Sequence, residues 1–160
     1  MSGSRIITSS DRKIIPSNPI TIKSTAYVTG RVLGGKWVFP AVIGVAAGGV
    51  IEQLTITDVG KQNAPMDIIV FSDDPALSTL GDDANPSVDA ADLGKVVGWV
   101  QVLATHYTQL NNVSIATLTF PTPMVLGAGK RDLYLVAVLR GTPTYGSTSA
   151  ITAKVVLRRD

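Results

Sequence analysis

The sequence has no cysteine, one histidine (His106) and one glutamate (Glu52), and only 16% of its 160 residues are charged. Each shortage closes off a chemistry. Without Cys there is no disulfide framework, no thiolate metal site and no Cys nucleophile. One His cannot build a multi-His metal centre within one chain. Aromatic residues are 6% of the chain. Trp37, Trp99 and four Tyr are too few and too scattered to line a glycosidase cleft, so paired carboxylates for glycoside hydrolysis have no platform. What the chain has instead is β-branched residues: Val, Ile and Thr supply 48 positions. With so few strong helix formers, that composition predicts a mostly β protein. Hydrophobic residues at 45% and a mean hydropathy of +0.28 exclude intrinsic disorder. A mass of 16.8 kDa suits one domain with a substantial core.

The N-terminal residues lack the apolar run of a secretory signal, so synthesis in a reducing cytoplasm is expected. The longest uncharged stretch, Trp37 to Ile51, has 15 residues and is broken by Pro40, Gly44, Gly48 and Gly49. A spanning helix needs about 20 apolar residues, so this stretch reads as buried strand, turn and strand, and no membrane partner is expected.

Charge is unevenly placed. Residues 1–36 carry Arg5, Arg12, Lys13, Lys23, Arg31 and Lys36 against Asp11 alone, a net +5, and the remainder carries −3. Asp73, Asp74, Asp82, Asp83, Asp89 and Asp92 fall in one stretch without a Lys or Arg. The basic front has no aromatic before Tyr27, so it offers no stacking surface for bases, and no nucleic-acid partner is expected. An acidic neighbour, or the acidic loop of an adjacent subunit, fits it better.

Residues 1–18 read as an extended basic arm and residues 19–160 as the folded body. The arm carries Ile6-Ile7 and Ile14-Ile15 and ends in prolines. Burying four isoleucines does not offset the entropy of fixing so long a segment. Order in it requires backbone hydrogen bonds, as an added strand or strap against a neighbour. Extended, it reaches about 60 Å.

Strand candidates follow at short intervals. They are Ile20–Val28, Gly30–Leu33 and Lys36–Ile43 about a Gly34-Gly35 hairpin turn, and Val50–Val59 with alternating faces. Met66–Phe71 and Leu133–Leu139 are apolar on both faces and should be central. Val96–Leu103 contains Gly98 at a bulge, and Val113–Phe120 and Ala150–Arg159 complete the set. Residues 72–92 form a long connection, with a short helix between Asp89 and Gly94. The pattern predicts an all-β fold: a single antiparallel β-sandwich with an extended N-terminal arm.

His106 lies in a polar loop and there is no nucleophile elbow, so a loop or rim residue is expected rather than a triad base. Gly127-Ala128-Gly129-Lys130 lacks the remaining positions of a phosphate loop and reads as a turn. Asp82, Asp83, Asn85, Asp89 and Asp92 offer oxygen ligands, but the EF-hand order is absent and solvated turns are the better reading. Trp37 and Trp99 sit in apolar strand patterns and read as core or interface packing. No catalytic, cofactor-binding or metal residue is assigned.

Four segments together carry a family resemblance: AYVTGRVLGG (26–35), GGVIEQLTITDVGKQNAPMDIIVFSDDP (48–75), DAADLGKVVGWVQV (89–102) and DLYLVAVLRGTPTYGSTSAITAKVVLRRD (132–160). The chain from Ala26 onward resembles small virion structural proteins of tailed bacteriophages that are encoded beside the major capsid protein. The resemblance does not extend to the arm. It implies a jelly-roll-like sandwich acting as a capsid decoration or cement protein, located in the virion, with the major capsid protein and further copies of itself, as a homotrimer over capsomer junctions, for partners. It brings no catalytic residues.

The expectation is therefore a non-enzymatic structural protein whose arm residues Arg5, Ile6, Ile7, Arg12, Lys13, Ile14 and Ile15 make the capsid or subunit contact. Two rival roles use the same fold: a tail or neck component, and a lectin-like host-recognition sandwich with Tyr107, Tyr134 or Tyr145 on an exposed rim.

Overall fold

Alternating apolar residues build nine strands: β1 (Asp11–Pro16), β2 (Val32–Phe39), β3 (Gly49–Asp58), β4 (Met66–Phe71), β5 (Val96–Val102), β6 (Tyr107–Gln109), β7 (Ser114–Leu126), β8 (Leu133–Leu139) and β9 (Ile151–Arg159). The computed structural model describes residues 11–40, 42, 49–126 and 131–159. Arg5, Ile6 and Ile7 of the expected arm, and the 127–130 turn, lie outside the described residues. The only helical elements described are two short 3-10 turns, Ala90–Lys95 and Ala104–His106. No described helix is long and apolar enough to cross a membrane.

The strands form two antiparallel sheets, ordered β1-β9-β3-β7-β6 and β2-β8-β4-β5. The pairings are nested: β1 with β9, β2 with β8, β3 with β7 and β4 with β5. The chain thus runs out and back as one long hairpin folded across two layers. β1 and β2 lie at one edge of the sandwich, and β5 and β6 at the other.

Inward-facing residues of both sheets form the core, among them Trp37, Phe39, Leu54, Ile56, Met66, Ile68, Leu135, Val155 and Leu157. β4 and β8 are central, as expected of strands apolar on both faces. The reason for their second apolar face is a smaller cluster outside the four-stranded sheet. There the 72–95 connection folds back and packs Leu80 and Val88 on Val32, Phe71 and Val136.

Three expectations are corrected. Gly34-Gly35 is not a hairpin turn: β2 continues through it, with a register shift against β8 between Leu33 and Lys36. Both glycines have positive φ, 72° and 68°, which is the conformation a glycine bulge needs. Ile20–Val28 is not a strand. It crosses from one sheet to the other, burying Ile20, Ile22 and Tyr27 but bonding its backbone only at intervals, to Thr148 and Pro143. The arm boundary at residue 18 also moves. Residues 11–16 are β1, paired in register with β9 from Asp11↔Arg159 to Pro16↔Lys154. Ser17 and Asn18 continue the attachment, donating to Ala153 O and Val38 O at 2.9 and 2.7 Å. Residues 11–18 find backbone partners in their own chain.

Candidate interaction surfaces

β1 divides the expected contact residues. The Arg12 Nε lies 3.1 Å from Glu52 Oε2, and Arg158 Nη1 approaches Oε1 at 4.0 Å. The chain's only glutamate thus sits between two guanidinium groups at the outer surface of β1, β9 and β3. Ile15 is half-buried against the core, whereas Ile14 points outward and is 65% exposed. Lys13 is exposed as well. Arg12 and Ile15 therefore serve the chain's own sheet, Ile14 shares the outer face with Arg12, and Lys13, on the Ile15 side of the strand, is exposed.

The aspartate-rich connection is fastened to the basic front of the same chain. Lys23 Nζ meets Asp83 Oδ2 at 2.7 Å and Lys36 Nζ meets Asp74 Oδ1 at 2.6 Å. Asp82 accepts from the Tyr27 hydroxyl and from the Gly34 and Lys23 amides. Asp89 caps the 3-10 turn, its Oδ1 accepting from Ala91 N at 2.8 Å. Asp92 is closed to solvent and accepts from the Ser78 hydroxyl (2.6 Å), Leu77 N (3.0 Å) and Lys95 Nζ (2.6 Å). The Lys95 hydrogen bond, then that of Ser78, holds its carboxyl below the usual carboxylate range, and the Lys95 ammonium is raised in return. Asp82 and Asp89 are exposed turn residues, as expected, that also bond backbone amides, whereas Asp92 is a buried fastener. Among the described residues no group of three or more His, Asp or Glu is placed to hold a metal ion.

His106 also has a local task. Its Nδ1 accepts the Leu103 amide at 3.1 Å, closing the Ala104–His106 turn. The tyrosines named for a recognition rim are not on a rim. Tyr107 and Tyr145 are 8% and 1% exposed and Tyr134 is half-buried. Burial raises the phenol of each above its ordinary value. Tyr107 and Tyr145 close one end of the core beside Asp58, whose buried Oδ2 accepts from the amides of Gln62 and Asn63 at 2.9 and 3.1 Å. Burial is the first cause of the raised pKa of Asp58.

Among the described residues the exposed aromatic is Trp99. Trp37 fits the core reading, fully buried with its Nε1 donating to Leu33 O at 2.8 Å. Trp99 is 60% exposed. On β5 it alternates with buried Val100 and Val102, and Gln101 shares its outward face. That period-two signal is present in the sequence, masked by the surrounding valines. A register shift between Val70 and Phe71 leaves Val97 as the extra residue beside Gly98, the expected bulge. The ring stands as a ridge between two hollows. One, of about 360 Å³, is apolar, with Ile69, Leu93, Val96 and Val138. The other, of about 540 Å³, lies along the seam between β5 and β7.

No protein-family model matches this chain, and no curated protein matches it. Among solved structures it is similar to the K1 cleaved adhesin domain of Lys-gingipain from Porphyromonas gingivalis W83. The identity is 11%, over 96% of this chain and 85% of that one, with a TM-score of 0.39. It is also similar to the K3 cleaved adhesin domain of the same protein, at 14% identity over 82% of this chain and 70% of that one, with a TM-score of 0.36. Neither likeness bears on function.

Proposed function

We propose that this chain is a virion structural protein of a tailed bacteriophage, a decoration protein that binds and stabilises the assembled major-capsid lattice. The observation that supports this reading is the position of β1. The basic, isoleucine-bearing segment lies at the edge of the five-stranded sheet, paired on one side only among the described strands, with Ile14 turned to solvent. An edge strand of this kind is a template for another chain's strand. The segment resemblance gives the partner, the major capsid protein, and the oligomer, a trimer. The nested strand pairing reads as a jelly roll, the arrangement that resemblance implies. A protein that binds only the assembled lattice stabilises it by RT ln(1 + [L]/Kd), and several edges on one oligomer add effective concentration.

The test is co-sedimentation of the purified chain with emptied phage heads, with the heads' thermal disruption followed in parallel. The full chain is expected to sediment with heads and delay their disruption, while Ile14→Asp and a chain lacking residues 1–10 bind at least about tenfold more weakly. Equal binding by both variants would overturn the role of this edge. Binding to tails alone would reassign the chain to the tail or neck.

A further inference from the structure

We propose that the seam between β5 and β7 is a binding site for a neutral saccharide chain, with Trp99 as its stacking platform. The inference stands apart from the lattice-binding role, since the seam lies at the sandwich edge opposite β1 and β2.

The seam exists because two strand edges are left open there. β5 is the last strand of its sheet, and β6 pairs β7 only over Ser114–Ala116. From Thr117 onward β7 has no described strand on that side. The cleft has Val100 and Leu118 as its floor, with Trp99 and Gln101 on one wall, Thr117 and Thr119 on the other, and His106 at one end. Apart from His106, no described lining side chain is ionisable, so an ionic ligand would find little to pair with among them. The neutral side chains of Gln101, Thr117 and Thr119 offer both donors and acceptors. The exposed indole offers an apolar face beside them. A pyranose ring has this same division: C–H groups that stack on an aromatic face, and uncharged hydroxyls around its rim.

His106 strengthens the assignment because its ring is already oriented. With Nδ1 accepting the Leu103 amide, Nε2 is left as the ring's donor, presented at a fixed place. An extended peptide inserted as an extra strand fits less well. Strands flanking an inserted strand stand about 9.5 Å apart. β5 and β7 come within 8 Å of each other at their Cα atoms along part of the seam.

Tryptophan fluorescence tests this directly, because Trp37 is buried and Trp99 is the solvent-facing indole. The full-length protein is titrated with cellohexaose, chitohexaose and maltohexaose, and separately with an uncharged ten-residue peptide of alternating Thr and Val. At least one saccharide is expected to give a saturable blue shift and to protect Trp99 from acrylamide quenching. Trp99→Ala should weaken binding by about tenfold or more, measured by calorimetry, and Gln101→Ala several-fold. Both positions are exposed, so the melting temperatures of the variants should match the parent, which separates lost binding from lost folding. Binding by none of the three saccharides, undiminished binding by Trp99→Ala, or protection by the peptide alone would each overturn the proposal.

Discussion

The Tyr27 hydroxyl donates to Asp82 Oδ1 at 2.6 Å across 55 residues of sequence. The same Oδ1 accepts the Gly34 amide at 2.7 Å, and Oδ2 accepts the Lys23 amide at 3.0 Å. One carboxylate thus ties the 72–95 connection to the crossing segment and to the glycine bulge of β2. Asp82→Ala removes all three bonds, each made to a charged acceptor. It is expected to cost about 2 kcal/mol and to lower Tm by roughly 4–8 °C. Differential scanning calorimetry checks this. An unchanged Tm would mean that water replaces the carboxylate at no cost.

Acid should loosen the same connection through Asp92. Its folded-state pKa is depressed, first by the Lys95 hydrogen bond and then by that of Ser78. The unfolded chain therefore binds the proton more readily. The stabilisation is present above the unfolded value of about 3.9 and is lost as pH falls through the lower folded value. Amide exchange in residues 72–95 should rise over that acid window, and Asp92→Asn should remove the dependence.

Asp58 titrates in the opposite sense. Burial raises its folded-state pKa, so its contribution to stability falls as pH climbs from about 4 through the raised folded value. Its Oδ1 has no partner, and Ser114, opposite it in register on β7, has an unpartnered Oγ too. Asp58→Asn keeps an acceptor for the Gln62 and Asn63 amides and removes the buried charge. The variant should be at least as stable as the parent at neutral pH, with the falling part of the profile gone. Urea denaturation across pH measures both.

Two glycines with positive φ should respond differently to alanine. At Gly30, φ is +87° and an added Cβ meets nothing within 4 Å, so the cost is backbone strain alone, about 1 kcal/mol. At Gly34 an added Cβ would collide with Ile20 Cγ2 and lie 3.1 Å from Trp37 Nε1. Gly34→Ala adds overpacking to strain and should cost roughly 3 kcal/mol. Equal losses in a chemical denaturation series would count against the bulge packing described.

Sequence reading located most strands because half-buried strands alternate visibly, as in Leu54 and Ile56, and doubly covered ones are apolar throughout, as in Met66–Phe71. The short helical turn beginning near Asp89 and the bulge beside Gly98 were legible for similarly local reasons. Partner choice was not. Gly34-Gly35 has the composition of a turn, and only the continuation of β2 alongside β8 makes it a bulge. Tyr107 and Tyr145 have polar neighbours in sequence, yet both are buried where the chain ends of the core close over Asp58. Lys23 and Lys36 gave no sign that their acidic partners lay some forty to sixty residues downstream in the same chain.

The sequence alone determined the chemistry excluded by missing cysteine and scarce histidine, the all-β character and the positions of most strands, because these depend on composition and on contacts within a few residues. The tertiary structure decided that Asp11–Pro16 belongs to the five-stranded sheet, that the aspartates fasten the long connection, and that Trp99 stands outside. Each depends on which distant backbone or charge a segment meets, and that is fixed only when the two sheets close on one core.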